Sequence, residues 1–128
     1  MDEALKTLSL AASGMRAQST RLRIASENLA NAQTEGYRRR TVSFAVTMEE
    51  GAAWPRVSGV GTDQRPLRQV YEPSHPKANK QGYVISSNVD PMIELADIRQ
   101  ASRSYEAGLA SFDQARRIFA RTLDILKR

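Results

Sequence analysis

Apolar residues recur along the last third of the chain in alternating steps of three and four. The series is Leu95, Ile98, Ser102, Tyr105, Leu109, Phe112, Arg116, Phe119, Leu123 and Leu126, and only Ser102 and Arg116 interrupt it. This spacing lays one narrow stripe along an α-helix. Such a stripe is the seam of a coiled coil and requires another helix as partner. Asp90 is placed to cap the free N–H groups, and Pro91 suits the first helical position. No proline follows Pro91. About 36 residues at 1.5 Å each make a rod roughly 50 Å long, too long for a compact domain of this size to surround.

The first stretch, Asp2 to about Gln33, is a second helix by the same reading. Leu8, Met15, Leu22 and Leu29 fall seven apart, and Leu5, Ala12, Ser19 and Ser26 take the alternate positions. Ala11, Ala12, Gly14 and Ala25 would let another backbone come close. A small-sided N-terminal helix against a bulky-sided C-terminal one, carrying Tyr105, Phe112 and Phe119, is the expected pairing. Ser, Thr, Asn and Gly weaken the first helix in isolation, so it is expected to become fully helical only when packed.

Between them the pattern changes. Thr34-Glu35-Gly36-Tyr37 reads as a helix stop, with Gly36 supplying a left-handed turn. Val42, Phe44, Val46 and Met48 alternate with polar or small residues, which predicts a half-buried strand. Glu49 to Arg56 reads as a turn or exposed loop. Val57 to Tyr71 offers one or two short strands. Tyr71 to Pro76 is expected to be extended, because each proline restricts the residue before it. Lys77 to Gly82 is a polar turn, and Gly82 to Ile85 a last short strand. The fold class expected is α+β: long N- and C-terminal helices packed as a coiled-coil pair, with a small irregular β-rich middle. The segments are 1–34, 35–90 and 91–128.

Composition narrows the function. The formal net charge is +5 and there is no cysteine. Disulfides, thiolate metal sites and cysteine nucleophiles are excluded. The cations are spread along the chain apart from Arg38-Arg39-Arg40, and few aromatics are available to stack bases, so nucleic acid is not an expected partner. No run approaches the ~18 apolar residues of a membrane span. Met1-Asp2-Glu3 lacks the cationic start and apolar block of a secretory signal, so export would need a route that does not read one.

Candidate chemistry is sparse. His75 is the sole histidine, and beside Ser74 in a proline-bounded loop it reads as a solvated or packed residue rather than a base. Glu49 and Glu50 diverge too far for an acid/base pair. Gly59-x-Gly61 lacks the third glycine and the helix start of a phosphate loop. Arg38 to Arg40 reads as a solvated strand edge rather than a phosphate clamp. No catalytic residue, cofactor or metal site is expected.

Two stretches carry a specific resemblance. The run Ala25-Ser26-Glu27-Asn28-Leu29-Ala30-Asn31-Ala32-Gln33-Thr34-Glu35-Gly36-Tyr37-Arg38 resembles the N-terminal signature of the flagellar axial family, the rod and hook proteins of bacterial flagella. The second set is Val70 to Pro76, Gly82-Tyr83-Val84, Ser87-Asn88-Val89-Asp90 and Ala101-Ser102-Arg103-Ser104-Tyr105-Glu106-Ala107. With the short middle, it is similar to the proximal-rod members of that family. Gly108 stands where an asparagine is common in them.

The resemblance implies a structural protein that polymerises into the torque-transmitting, export-conducting rod of the basal body. It implies partners among other copies, other rod proteins, the basal-body adapter and the type III export apparatus. It implies a periplasmic rod location, reached from the cytoplasm without a cleaved signal peptide. Assembly residues follow on the two seams: Leu8, Met15, Leu22 and Leu29, then Tyr105, Leu109, Phe112, Phe119 and Leu123. Asn28, Asn31 and Asn88 are expected as helix-end and inter-subunit hydrogen-bond residues, with ordinary capping within one subunit as the alternative, and Gly36, Tyr37 and Asp90 join them as assembly residues. The alternative is another rod or hook-basal-body axial or adapter protein, and more distantly a basic nucleic-acid-binding module.

Overall fold

The computed structural model describes residues 2–127. Met1 and Arg128, which the expected terminal segments include, lie outside the described residues. Two long helices run antiparallel, α1 over Asp2–Ala30 and α2 over Pro91–Leu126. Asp90 caps α2 by accepting from the Met92 N–H at 3.0 Å, and Pro91 opens the helix as expected. Four strands fill the middle: β1 (Arg40–Glu49), β2 (Ala52–Thr62), β3 (Gln69–Tyr71) and β4 (Tyr83–Ile85). They form two separate antiparallel hairpins, β1 with β2 and β3 with β4. The class is α+β.

The helix pairing departs from the expected seam in an informative way. On each helix one of the two expected rows faces the partner. Leu8, Met15, Leu22 and Leu29 on α1, and Ile98, Tyr105, Phe112 and Phe119 on α2, are all half-buried. The second row on each helix lies at the rim of the contact, with Ala12, Ser102 and Leu123 half-buried. Leu5, Ser19 and Ser26 are exposed, as are Leu95, Leu109 and Arg116. Its place is taken by smaller residues. On α2 these are Glu94, Ala101, Gly108, Ala115 and Thr122, spaced by seven, with Ala101 and Ala115 buried. On α1 they include Ala11 and the buried Ala25. Small therefore meets small as well as bulky. A Cβ on Gly108 would stand 2.8 Å from Met15 Cγ and 3.8 Å from the Ala11 carbonyl oxygen. The helices come this close because no side chain separates them at that point.

The first hairpin lies on α1 and, among the described elements, does not pack on α2. The expected loop over 49–56 is instead a two-residue turn. Glu50 (φ 50°) and Gly51 (φ 77°) are both left-handed, and β2 starts at Ala52. Two left-handed residues match the twist of antiparallel strands. Pro55 sits within β2, opposite Val46. It rests against Gly14, and its carbonyl accepts from the Ser13 hydroxyl at 2.6 Å. The Val42 strand is less covered than its alternation predicts. Val42 is half-buried, but Phe44, Val46 and Met48 are 45%, 60% and 69% exposed. A two-stranded ribbon lying on one helix has no second layer to cover the strand that overhangs.

The expected extended segment 71–76 is two consecutive turns. His75 N–H donates to the Glu72 carbonyl and Ala78 N–H to the His75 carbonyl, each at 3.0 Å. Pro73 and Pro76 occupy the second position of those turns, where their fixed φ is favourable. The 77–82 turn and the short strand after it are as expected. Gly82 (φ 89°) closes that turn under the Tyr71 ring.

Close helix approach predicts a clear asymmetry in α2. Gly108→Leu should lower stability by about 1–3 kcal/mol through overpacking. Ala107→Leu, one residue round on the exposed side, should stay within about 0.5 kcal/mol. Thermal melts followed by circular dichroism check this, and equal melting temperatures would refute the packing.

Candidate functional site

The buried centre of the molecule is polar. It lies where the end of α1, the start of β1 and the start of α2 converge. Glu94, in the first turn of α2, has a side chain with 0% exposure. Its Oε1 accepts from Arg39 Nε, and its Oε2 accepts from Asn28 Nδ2 at 3.4 Å. Asn28 is 1% exposed and fills all its hydrogen-bonding positions. Besides Glu94, Nδ2 donates to the Arg40 carbonyl at 2.9 Å. Oδ1 accepts from the Arg40 N–H at 2.9 Å and from the Tyr37 hydroxyl at 2.8 Å. The amide thus acts as a one-residue strand partner for the start of β1.

Asn88 does similar work from the other side. Its Oδ1 accepts from the Arg39 N–H at 2.6 Å, and its Nδ2 donates to the carbonyls of Asp63 at 3.0 Å and Arg65 at 3.1 Å. The Ser87 hydroxyl donates to the Ala32 carbonyl beyond the end of α1, and Arg68 Nη2 reaches the same carbonyl at 3.1 Å. Gly36, left-handed at φ 70°, turns the chain so that its N–H meets the Ser86 carbonyl at 3.2 Å. Asn31 holds the helix end: its Nδ2 donates to the Glu27 carbonyl at 2.8 Å, and its Oδ1 accepts from Thr34. Among the described residues no buried side-chain nitrogen or oxygen lacks a partner.

The expectation of a solvated edge at Arg38 to Arg40 is corrected here. Arg39 pairs with Glu94 and, at 3.7 Å, with Asp63. Arg40 pairs with Glu27 at 2.7 Å. Only Arg38 of the three is exposed. The buried Glu94 draws Arg39 inward, because an unpaired buried carboxylate would be costly, whereas Arg40 and Glu27 form a half-open pair with side chains 40% and 38% exposed. Arg21 on α1 and Asp97 on α2 add another pair a turn further down.

Charge sets the protonation of the joint. Burial pushes the Tyr37 hydroxyl above its ordinary pKa; Glu27 and Glu94 add to this and Arg40 opposes it. The hydroxyl therefore remains a donor to Asn28. Asp63 is held down to about 2, first by side-chain hydrogen bonds from Arg65, then by the Arg65 N–H, against a smaller opposing effect of burial. Its side chain is 12% exposed, but much of what covers it is cationic guanidinium rather than apolar surface.

Among the described residues the adjacent carboxylates, the glycine pair and the histidine lie apart from one another. Glu49 ends β1, Glu50 is in the turn, and Gly59 and Gly61 lie within β2. His75 Nε2 meets Glu35 at 2.7 Å while its Nδ1 accepts from the Lys77 N–H at 3.0 Å, which ties the 72–82 loop to the turn after α1. Among the described residues no group of three or more His, Cys, Asp or Glu side chains is placed to hold a metal. No described helix is long and apolar enough to cross a membrane. What the surface offers instead is apolar flank. Leu109 is 43% exposed, and with Ala12, Met15, Arg16, Ser19, Tyr105 and Phe112 it lines an open groove of about 340 Å³ along the helix pair.

Two regions match family models. Residues 8–38 match the flagella basal body rod protein, and residues 80–125 match the C-terminal model of the flagellar basal body rod FlgEFG proteins. Full-length similarity decides the family. The flagellar basal-body rod protein FlgC of Agrobacterium fabrum is 40% identical, covering 99% of this chain and 98% of that protein. FlgC of Salmonella typhimurium is 36% identical over 94% and 96%, and FlgC of Bacillus subtilis 30% identical over 97% and 99%. The chain belongs to the FlgC family of flagellar basal-body rod proteins. It is a structural protein of the flagellar basal body.

The expected site residues divide into two groups. Asn28, Asn31, Gly36, Tyr37, Asn88 and Asp90 all sit at the joint or at helix ends and bond within the subunit. Leu8, Met15, Leu22, Leu29, Tyr105, Phe112 and Phe119 are half-buried between the helices, Leu123 is half-buried, and Leu109 is on the open flank. Reading the two seams alone misses Glu94, Arg39, Ser87, Ala101 and Ala115. A seven-residue step from Glu94 through Ala101 and Gly108 to Ala115 is the signal that finds most of them.

Two outcomes test the joint. Glu94→Ala leaves Arg39 and Asn28 without their acceptor and should cost about 3–5 kcal/mol, as breaking a buried pair does; a urea midpoint unchanged from the parent chain would disprove the role. Asp63 has a folded pKa of about 2 against an ordinary 3.8. Its contribution is complete above pH ~4 and disappears as pH falls from about 4 to about 2. Asp63→Asn should flatten the melting temperature against pH in that window and leave the slope above pH 5 as it was.

Proposed function

We propose that this chain is a proximal-rod subunit that polymerises, with other copies and other rod proteins, into the hollow rod that transmits torque and conducts exported subunits. The observation that supports this best is the arrangement of α2. Its small row is used inside the subunit, while Leu95 (36%) and Leu109 (43%) of the bulky row stay exposed beside it. A helix pair with seven-residue apolar spacings and exposed apolar flanks is built to receive further helices. The polar joint fixes the internal geometry, and the open flank provides the assembly surface. The partners implied by the family extend to the basal-body adapter and the type III export apparatus, with passage from the cytoplasm without a cleaved signal peptide.

Deleting the gene should abolish rods in isolated basal bodies and leave cells immotile, with rescue by the full chain. Intact rotating flagella in the deletion strain would overturn the reading. Two substitutions separate assembly from folding. Leu109→Asp, on the open flank, should leave the folding stability within about 0.5 kcal/mol of the parent and still abolish rods and swimming. Ala115→Asp, 5% exposed in the parent between the helices, should unfold the pair itself. Normal swimming with Leu109→Asp would count against the flank.

A further inference from the structure

The exposed apolar residues of α2 do not form one patch. They form two, on opposite flanks. On one flank are the exposed Leu95 and Leu109, of which Leu109 borders the groove with α1. On the other, Ile93, Ile118 and Ile125 are 48%, 52% and 70% exposed. At about 100° per residue, Leu109 and Ile118, nine positions apart, project about 180° from each other. α1 covers the side between them. The shoulders outside the two flanks differ in charge. Glu106 lies beyond Leu109, and Arg103 and Arg121 lie beyond Ile118, all exposed and none in an ion pair among the described residues. The other charges near the flanks are Asp113 and Arg116, which pair with each other at 3.5 Å, Arg16 on α1 beside Leu109, Glu3 on α1 beside Ile118, and the exposed Arg99, Arg117 and Asp124 on the outer face of α2.

We propose that the Leu95/Leu109 flank of one copy receives the Ile93/Ile118 flank of α2 of a second copy. This rests on the reading of the chain as a self-assembling rod subunit and names the surfaces that meet. Like-on-like contact through the Leu109 flank would close a dimer and leave the isoleucine flank bare on both copies. Unlike flanks on opposite sides of one helix instead make a heterologous contact that repeats from copy to copy and covers both. It also brings Glu106 of one copy toward Arg121 of the next, whereas like-on-like contact brings Glu106 toward Glu106.

The chain has no cysteine, so thiols can be placed at will. Leu109→Cys, Ile118→Cys and the double variant would be expressed in the deletion strain, and isolated basal bodies treated with a short bismaleimide. The double variant should give a ladder of covalent oligomers of this chain. Each single variant should give none, and cells carrying both singles should give heterodimers. A dimer from Leu109→Cys alone, or no cross-link from the double variant in rods that have formed, overturns the flank assignment. If those thiols prevent rods, Glu106→Cys with Arg121→Cys on the adjoining shoulders, about 22 Å apart within one copy and so out of reach of a short linker, supplies the same comparison. Rods that form without this chain would instead overturn the reading of function.

Discussion

A carboxylate with no access to water is the constraint on which the rest of the fold depends. Glu94 is wholly buried, and burial of a charge is tolerable only where cation and hydrogen-bond donors meet it. Arg39 and Asn28 meet it, so α2 has one rotation about its axis that satisfies the joint. That rotation carries down the helix by sevens. Ala101, Gly108 and Ala115 then face α1, and the backbones close until Met15 lies over Gly108. The bulky positions one step round, Leu95 and Leu109, are turned outward. An ion pair at one end thereby decides which apolar residues are exposed roughly 20 Å further along.

The two asparagines complete the same constraint on the strands. Asn28 hydrogen-bonds both the N–H and the C=O of Arg40, and Asn88 accepts from the N–H of Arg39. β1 therefore starts from a point fixed by both helices. Further along, the hairpin is held by α1, through Ser13 and Gly14 against Pro55 and through Lys6 on the Glu50 carbonyl at 2.9 Å. It needs no core of its own, which is why its alternating apolar face is left half open.

Much of this architecture was legible in the residues. The Asp90-Pro91 start, the seven-residue spacings and the left-handed Gly36 each act locally, so local pattern shows them. The rotation of the helices did not appear, because it is set by Glu94, a polar residue that an apolar count passes over. Alanine and glycine at Ala101, Gly108 and Ala115 carry little hydrophobic signal, yet close approach requires them. Arg39 and Arg40 read as solvated for the same reason: their partners, Glu94 and Glu27, are distant in sequence. The Pro73 and Pro76 turns were missed by weighing how proline restricts its predecessor above how it favours the second position of a turn.

A helix with apolar residues on several sides can pair with α1 in more than one rotation at similar hydrophobic gain. Buried ion pairs add little to stability beyond what an apolar replacement would supply, but they discriminate strongly against the rotations that leave them unpaired. In a self-sufficient monomer that selectivity would matter little, since any rotation burying enough surface would serve. In a subunit that must show the same flank to every neighbour, a single rotation is the requirement. The polar joint therefore belongs to the function as much as to the fold: it makes the exposed face of α2 identical from copy to copy.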